Sequence, residues 1–88
     1  MKTFQDIEFK AHPMGSEFGV LSKTIFDNGY GVSVAKSDYT YGGADGFYEL
    51  AVLGSDGRID YTTPITDDVI GYLSEENVTK IMKQVQEL

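Results

Sequence analysis

Few residues in this chain could act on a substrate. His12 is the only histidine and cysteine is absent, so no thiolate nucleophile, disulfide framework or cysteine-based metal set can be assembled. His12 stands in "AHPMGSE" (11–17), whose proline and glycine read as a loop, where a lone imidazole is ordinarily solvated. The fourteen acids allow a serine–histidine–carboxylate set on paper, but no nucleophile elbow or comparable spacing accompanies it. The adjacent pairs Asp67–Asp68 and Glu75–Glu76 could face a divalent ion. In the first turn of a helix such carboxylates more commonly complement the helix dipole.

Two glycine-containing stretches imitate ligand loops and fail on chemistry. "YGGADG" (41–46) has the glycines of a phosphate cradle. It precedes a strand instead of opening a helix, is followed by no lysine, and is flanked by Asp38 and Asp45. "SDGRIDY" (55–61) shares letters with a helix–loop–helix calcium loop. With Gly57 as the sixth position, Val52, Gly54 and Thr63 fall where oxygen ligands are needed, so it reads as a turn. No cofactor, no metal and no enzymatic activity are expected.

Recognition is the remaining chemistry. Tyr39, Tyr41 and Tyr48 are interleaved with Gly42, Gly43 and Gly46, and tyrosine offers large contact area for little side-chain entropy. The competing reading is that these rings fold back onto the sheet. Charge points the same way as the tyrosines. The net charge is −7, yet residues 1–37 are neutral overall, whereas residues 38–76 carry nine acids against Arg58 alone. Such a block repels phosphate backbones and attracts basic surfaces, so direct nucleic-acid binding is not expected. Asp38, Tyr39, Tyr41, Asp45, Asp56, Asp60, Asp67 and Asp68 are the candidate partner-binding residues, with the plain alternative that the acids only confer solubility.

The elements that must position these residues follow from periodicity. "TFQDIEF" (3–9) alternates and predicts an edge strand. "FGVLSKTIF" and "YGVSV" flank Asn28-Gly29, the preferred pair for a two-residue type I′ hairpin. In that register Ile25 faces Val32 and Thr24 faces Ser33, and Leu21, Ile25, Val32 and Val34 form the core face. Lys23 then sits awkwardly opposite Val34. "GFYELAVLG" (46–54) is apolar on both faces apart from Glu49, as in a central strand. "GSDG" (54–57) turns the chain into a shorter strand "RIDY" (58–61). "DDVIGYL" (67–73) reads as a short helical turn capped by Thr66. Ser74 caps a last helix with Val78, Ile81, Met82, Val85 and Leu88 on one stripe.

At 88 residues one domain is expected. Its class is α+β, an antiparallel sheet of four to five strands with a C-terminal helix packed on one face. No apolar run is long enough to span a membrane, and "MKTFQDIEF" lacks the pattern of a signal peptide. A cytoplasmic location is therefore expected.

"FDNGYGVSVAKSDYTYGG", "GFYELAVLGSDG" and "TPITDDVIGYLSEENV" resemble stretches of small bacteriophage-encoded accessory proteins, over roughly residues 25–80. The resemblance implies action by binding a host protein, including host-defence inhibitors of the anti-CRISPR type. No family site residue is carried over. The favoured expectation is a non-enzymatic acidic binding protein that occupies a basic surface on a host nucleic-acid-processing or defence complex. A homo-oligomeric or virion-associated structural protein is the alternative, so a homodimer stays open. A small-ligand or metal-binding enzyme comes last.

Overall fold

The computed structural model of the chain describes residues 1–11, 19–65 and 69–88. Its centre is a hairpin built around Asp27-Asn28-Gly29. Strand β2 (Val20–Ile25) pairs antiparallel with β3 (Gly31–Lys36), Thr24 opposite Val32 and Ser22 opposite Val34. The loop has three residues, not the expected two. Gly29 N–H donates to the Phe26 carbonyl at 3.0 Å, Phe26 N–H donates to the Tyr30 carbonyl at 2.7 Å, and Gly29 alone takes positive φ, +90°. This is a type I turn closed by a glycine bulge.

The one-residue difference moves all of β2 to the opposite face, because side chains alternate along a strand. Val32 and Val34 are fully buried as expected, but their β2 neighbours are Ser22 and Thr24. Leu21 and Ile25 turn to the outer face, where Ile25 is 51% exposed. Lys23 joins them opposite Ser33, so the awkward buried lysine disappears.

Strand β4 (Tyr48–Leu53) lies beside β3 and is central, with Leu50, Ala51, Val52 and Leu53 all buried. A second three-residue loop, Ser55-Asp56-Gly57, ends it in the same way as the first. Gly54 N–H donates to the Arg58 carbonyl and Gly57 has φ +78°. The expected strand 58–61 shrinks to one bridge, Leu53 with Ile59. Beyond it the Asp60 carboxylate accepts from Thr62 N–H and Oγ1, which bends the chain off the sheet.

The lower half of the same β4 edge is taken by β5 (Ile70–Leu73), which corrects the helical turn expected over 67–73. Tyr48 pairs with Leu73 and Leu50 with Ile70, so three steps on β5 oppose two on β4. Gly71 and Tyr72 absorb the extra residue as a bulge, and Tyr72 carries φ +56°. Partnership with the apolar edge of β4 outweighs the local signal, and Gly71 is a helix breaker. The expected cap Thr66, with Asp67 and Asp68, lies outside the described residues, as does most of the loop 11–17.

The expected strand 3–9 is also corrected. Thr3 donates to the Asp6 carboxylate through its N–H and its hydroxyl, and Phe4–Asp6 form one turn of 3-10 helix. Of the described residues that precede β2, Lys10–Ala11 (β1) pair with it, which completes the sheet order β1-β2-β3-β4-β5. Ile7 enters the core, and Phe4 and Phe9 pack against it.

Helix α1 (Glu75–Gln86) seals the sheet. Ser74 Oγ accepts the Asn77 N–H, and Asn77 Oδ1 accepts the Ser74 N–H in return. Val78, Met82 and Val85 are fully buried against Val32, Val34, Leu50 and Val52, with Ile81 at the margin and Leu88 38% exposed. Asn28 ties the two halves together. Its Oδ1 accepts the Tyr30 N–H, and its Nδ2 donates to the Val85 carbonyl at 2.9 Å, near the open end of α1.

Candidate functional site

Residues 37–47, which contain the glycine-rich stretch 41–46, join β3 to β4 as an organised loop. Ser37 Oγ accepts the Tyr39 N–H, and Thr40 Oγ1 accepts the Ser37 N–H while donating back to the Ser37 carbonyl. Gly42 and Gly46 both adopt positive φ, +84° and +88°, and bracket a 3-10 turn over Gly43–Asp45. The Phe47 N–H closes the loop on the Gly42 carbonyl at 2.9 Å. The Glu49 carboxylate accepts the Tyr41 N–H at 2.8 Å, so this acid holds the loop in place.

The loop is docked on the bulge of β5. Tyr72 N–H donates to the Tyr41 carbonyl at 3.1 Å. The contact is too close for side chains on either glycine. A Cβ on Gly71 would lie 2.3 Å from Tyr41 Cβ, and one on Gly42 would lie 2.9 Å from Tyr72 Cα. This close approach, with the bulge, turns Tyr72 outward beside Tyr41.

Four aromatic rings consequently share one end of the molecule. Tyr39 is 79% exposed, Tyr41 63%, Tyr72 62% and Phe47 39%, and the Phe47 and Tyr72 rings are 6.3 Å apart. Tyr39 and Tyr41 do not fold back onto the sheet. Tyr48 does. Its ring packs 5.1 Å from Phe4 and 5.6 Å from Phe9, with Lys36 Nζ 4.9 Å from its centroid, so it belongs to the hydrophobic layer. Phe47 and Tyr72 are the residues that sequence reasoning missed. Glycine before each, at 46 and 71, was the available signal.

The acids do not gather at one place. Asp38 and Asp45 flank the aromatic group and are exposed. Asp56 lies in the turn past the far end of β4, about 20 Å away by the rise of six strand residues, and Asp60 folds back beside that end, its N–H donating to the Val52 carbonyl. Asp67 and Asp68 lie outside the described residues. Asp60 has its pKa lowered, first by the Thr62 hydroxyl and then by the Thr62 N–H, which both stabilise the ionised carboxylate.

No protein family, curated protein or solved structure matches this chain. Among the described residues, no three histidine, cysteine, aspartate or glutamate side chains stand close enough to hold a metal ion, and no helix is long and apolar enough to cross a membrane. What the site offers chemically is a rigid aromatic surface with carboxylates on its rim. Tyrosine faces attract guanidinium and ammonium groups, and Asp38 and Asp45 add longer-range attraction.

Proposed function

We propose that this chain is a non-enzymatic acidic binding protein whose 37–47 loop, completed by Tyr72, docks on a basic surface of a partner protein. The observation that carries this reading is the exposure of Tyr39 and Tyr41 on a hydrogen-bonded loop rimmed by Asp38 and Asp45, with the exposed Tyr72 of β5 bonded beside them. A pre-organised loop loses little entropy on binding, so its aromatic area converts efficiently into affinity. The resemblance of residues 25–80 to phage accessory proteins supports a partner in the host, a nucleic-acid-processing or defence complex whose basic groove would otherwise hold nucleic acid. In that role the carboxylates compete with phosphates for the same lysines and arginines.

The test compares capture of host proteins by the native chain with capture by Tyr39→Ala/Tyr41→Ala and by Asp38→Lys/Asp45→Lys. The tyrosine variant is expected to keep its melting temperature and lose its partner, since interface aromatics can contribute ~2 kcal/mol or more each. The charge-reversed variant is expected to associate more slowly, with the deficit shrinking as salt rises. Capture that survives both variants unchanged would exclude this loop as the docking surface.

A further inference from the structure

The opposite corner of the molecule carries a different surface. The Phe26–Tyr30 pair bonds across the hairpin, and antiparallel ladders alternate bonded with unbonded pairs. Thr24 and Ser22 therefore direct their backbone groups toward β3, while Ile25, Lys23 and Leu21 direct theirs toward β1. Strand β1 pairs with Val20 and Leu21 and goes no further along β2, Lys10 standing opposite Leu21. Among the described residues, no backbone bond closes the outward N–H and C=O groups of Lys23 and Ile25.

Past Lys10 the N-terminal segment leaves β2 and covers the core instead, anchored where Phe4 N–H donates to Thr79 Oγ1 at 3.0 Å. The splay opens a groove of about 370 Å³ between the segment and the free edge, lined by Lys2, Asp6, Glu8, Lys10, Lys23 and Ile25 among others. Ser22, 3% exposed, also lines it, and its hydroxyl meets no hydrogen-bonding partner among the described residues. Three of the seven basic residues of this chain, whose net charge is −7, are collected here. Of the two acids present, Asp6 is already engaged by Thr3.

We propose that this groove receives an extended acidic peptide segment, which adds as a strand to the β2 edge at Lys23–Ile25. Main-chain bonds to Lys23 and Ile25 would supply register-independent affinity, the half-exposed Ile25 side chain an apolar contact, and Lys2, Lys10 and Lys23 the preference for carboxylates. A second copy of this chain is the less suitable occupant, because self-pairing brings two sets of these lysines, and two net charges of −7, together. This surface is separate from the aromatic loop in place and in charge, so either can fail alone.

The experiment is an amide-resolved NMR titration of the full-length chain with a capped hexapeptide alternating valine and glutamate. A valine–lysine hexapeptide and a backbone N-methylated version of the first serve as controls. Saturable shifts of the Lys23 and Ile25 amides are expected, with affinity about tenfold lower for the lysine peptide and lost on N-methylation. Lys23→Glu is expected to weaken the glutamate peptide similarly while leaving the melting temperature unchanged. Equal affinity for both charged peptides, shifts confined to residues 37–47, or no shift at millimolar peptide would overturn the proposal. So would concentration-dependent shifts of Lys23 and Ile25 without peptide, which would place a second copy in the groove.

Discussion

Replacing Asn28 by Asp removes the amide donor that holds the hairpin to the helix, through the Val85 carbonyl at 2.9 Å and, more weakly, the Leu88 carbonyl at 3.5 Å. Asn28 uses both ends of its amide: Oδ1 serves the turn at Tyr30, and Nδ2 serves the Val85 carbonyl from a partly buried position. Aspartate keeps the first bond, since its carboxylate accepts the Tyr30 N–H equally well. It loses the second and sets negative charge against the carbonyl end of α1. The lost bond costs about 0.5–1.5 kcal/mol, and the unfavourable dipole contact about 0.3–1 kcal/mol more. A total near 1–2.5 kcal/mol corresponds to a fall of roughly 5–12 °C in melting temperature for a chain of this length. Differential scanning calorimetry reads the total, and a salt series reads the charge part, which screening weakens. Equal melting temperatures for the two chains would refute the bond to Val85, and a gap indifferent to salt would refute the charge argument.

Met82→Ala should cost about 2–5 kcal/mol, as truncation of a fully buried side chain does, whereas Ile81→Ala at the margin should cost visibly less in urea unfolding. Gly71→Ala puts a methyl group into Tyr41 and should cost about 1–3 kcal/mol; the Tyr41 amide should shift in NMR spectra while the core methyl groups do not. Asp60 has a lowered pKa in the folded chain, so its contribution is present above the ordinary carboxylate value and is lost as pH falls through the lowered one. Thr62→Val removes the hydroxyl donor and should move the Asp60 titration midpoint upward, followed by carboxyl carbon shifts.

Helix α1 was legible because its information is local: Ser74 and Asn77 cap it, and Val78, Met82 and Val85 recur at helical spacing. The hairpin was legible in position and not in register. Asn28-Gly29 suits both a two-residue and a three-residue loop, and what separates them lies far along the chain, where Val85 needs a donor and Phe26 needs the core. The same limit explains β5. "VIGYL" has no strand alternation of its own and becomes a strand only because β4 leaves an edge beside it. At the candidate site, glycine spacing around Tyr39 and Tyr41 marked a loop, and their exposure agrees with an outward orientation. Tyr72 joined them through a bulge, of which Gly71 is the one local sign and whose pairing with β4 is not local. The acidic block from 38 to 76 is continuous in sequence but divided in space: β4 separates Asp38 and Asp45 from Asp56, while Leu73, paired with Tyr48, returns the chain to the first end just before Glu75 and Glu76.

The pairing of Lys2 with Gln86 has a practical side. The Lys2 N–H donates to the Gln86 side-chain oxygen at 2.9 Å, and the Gln86 amide nitrogen donates back to the Lys2 carbonyl at 2.8 Å. Both ends of the described chain thus emerge together beside Asn28, at the pole away from Tyr39 and Tyr41. A short linker could join them, and new ends could be opened in the exposed Ser55–Gly57 turn, giving a circularly permuted chain with the same core. A tether on either of these two ends would hold the molecule to a sensor surface with its aromatic loop facing the solution.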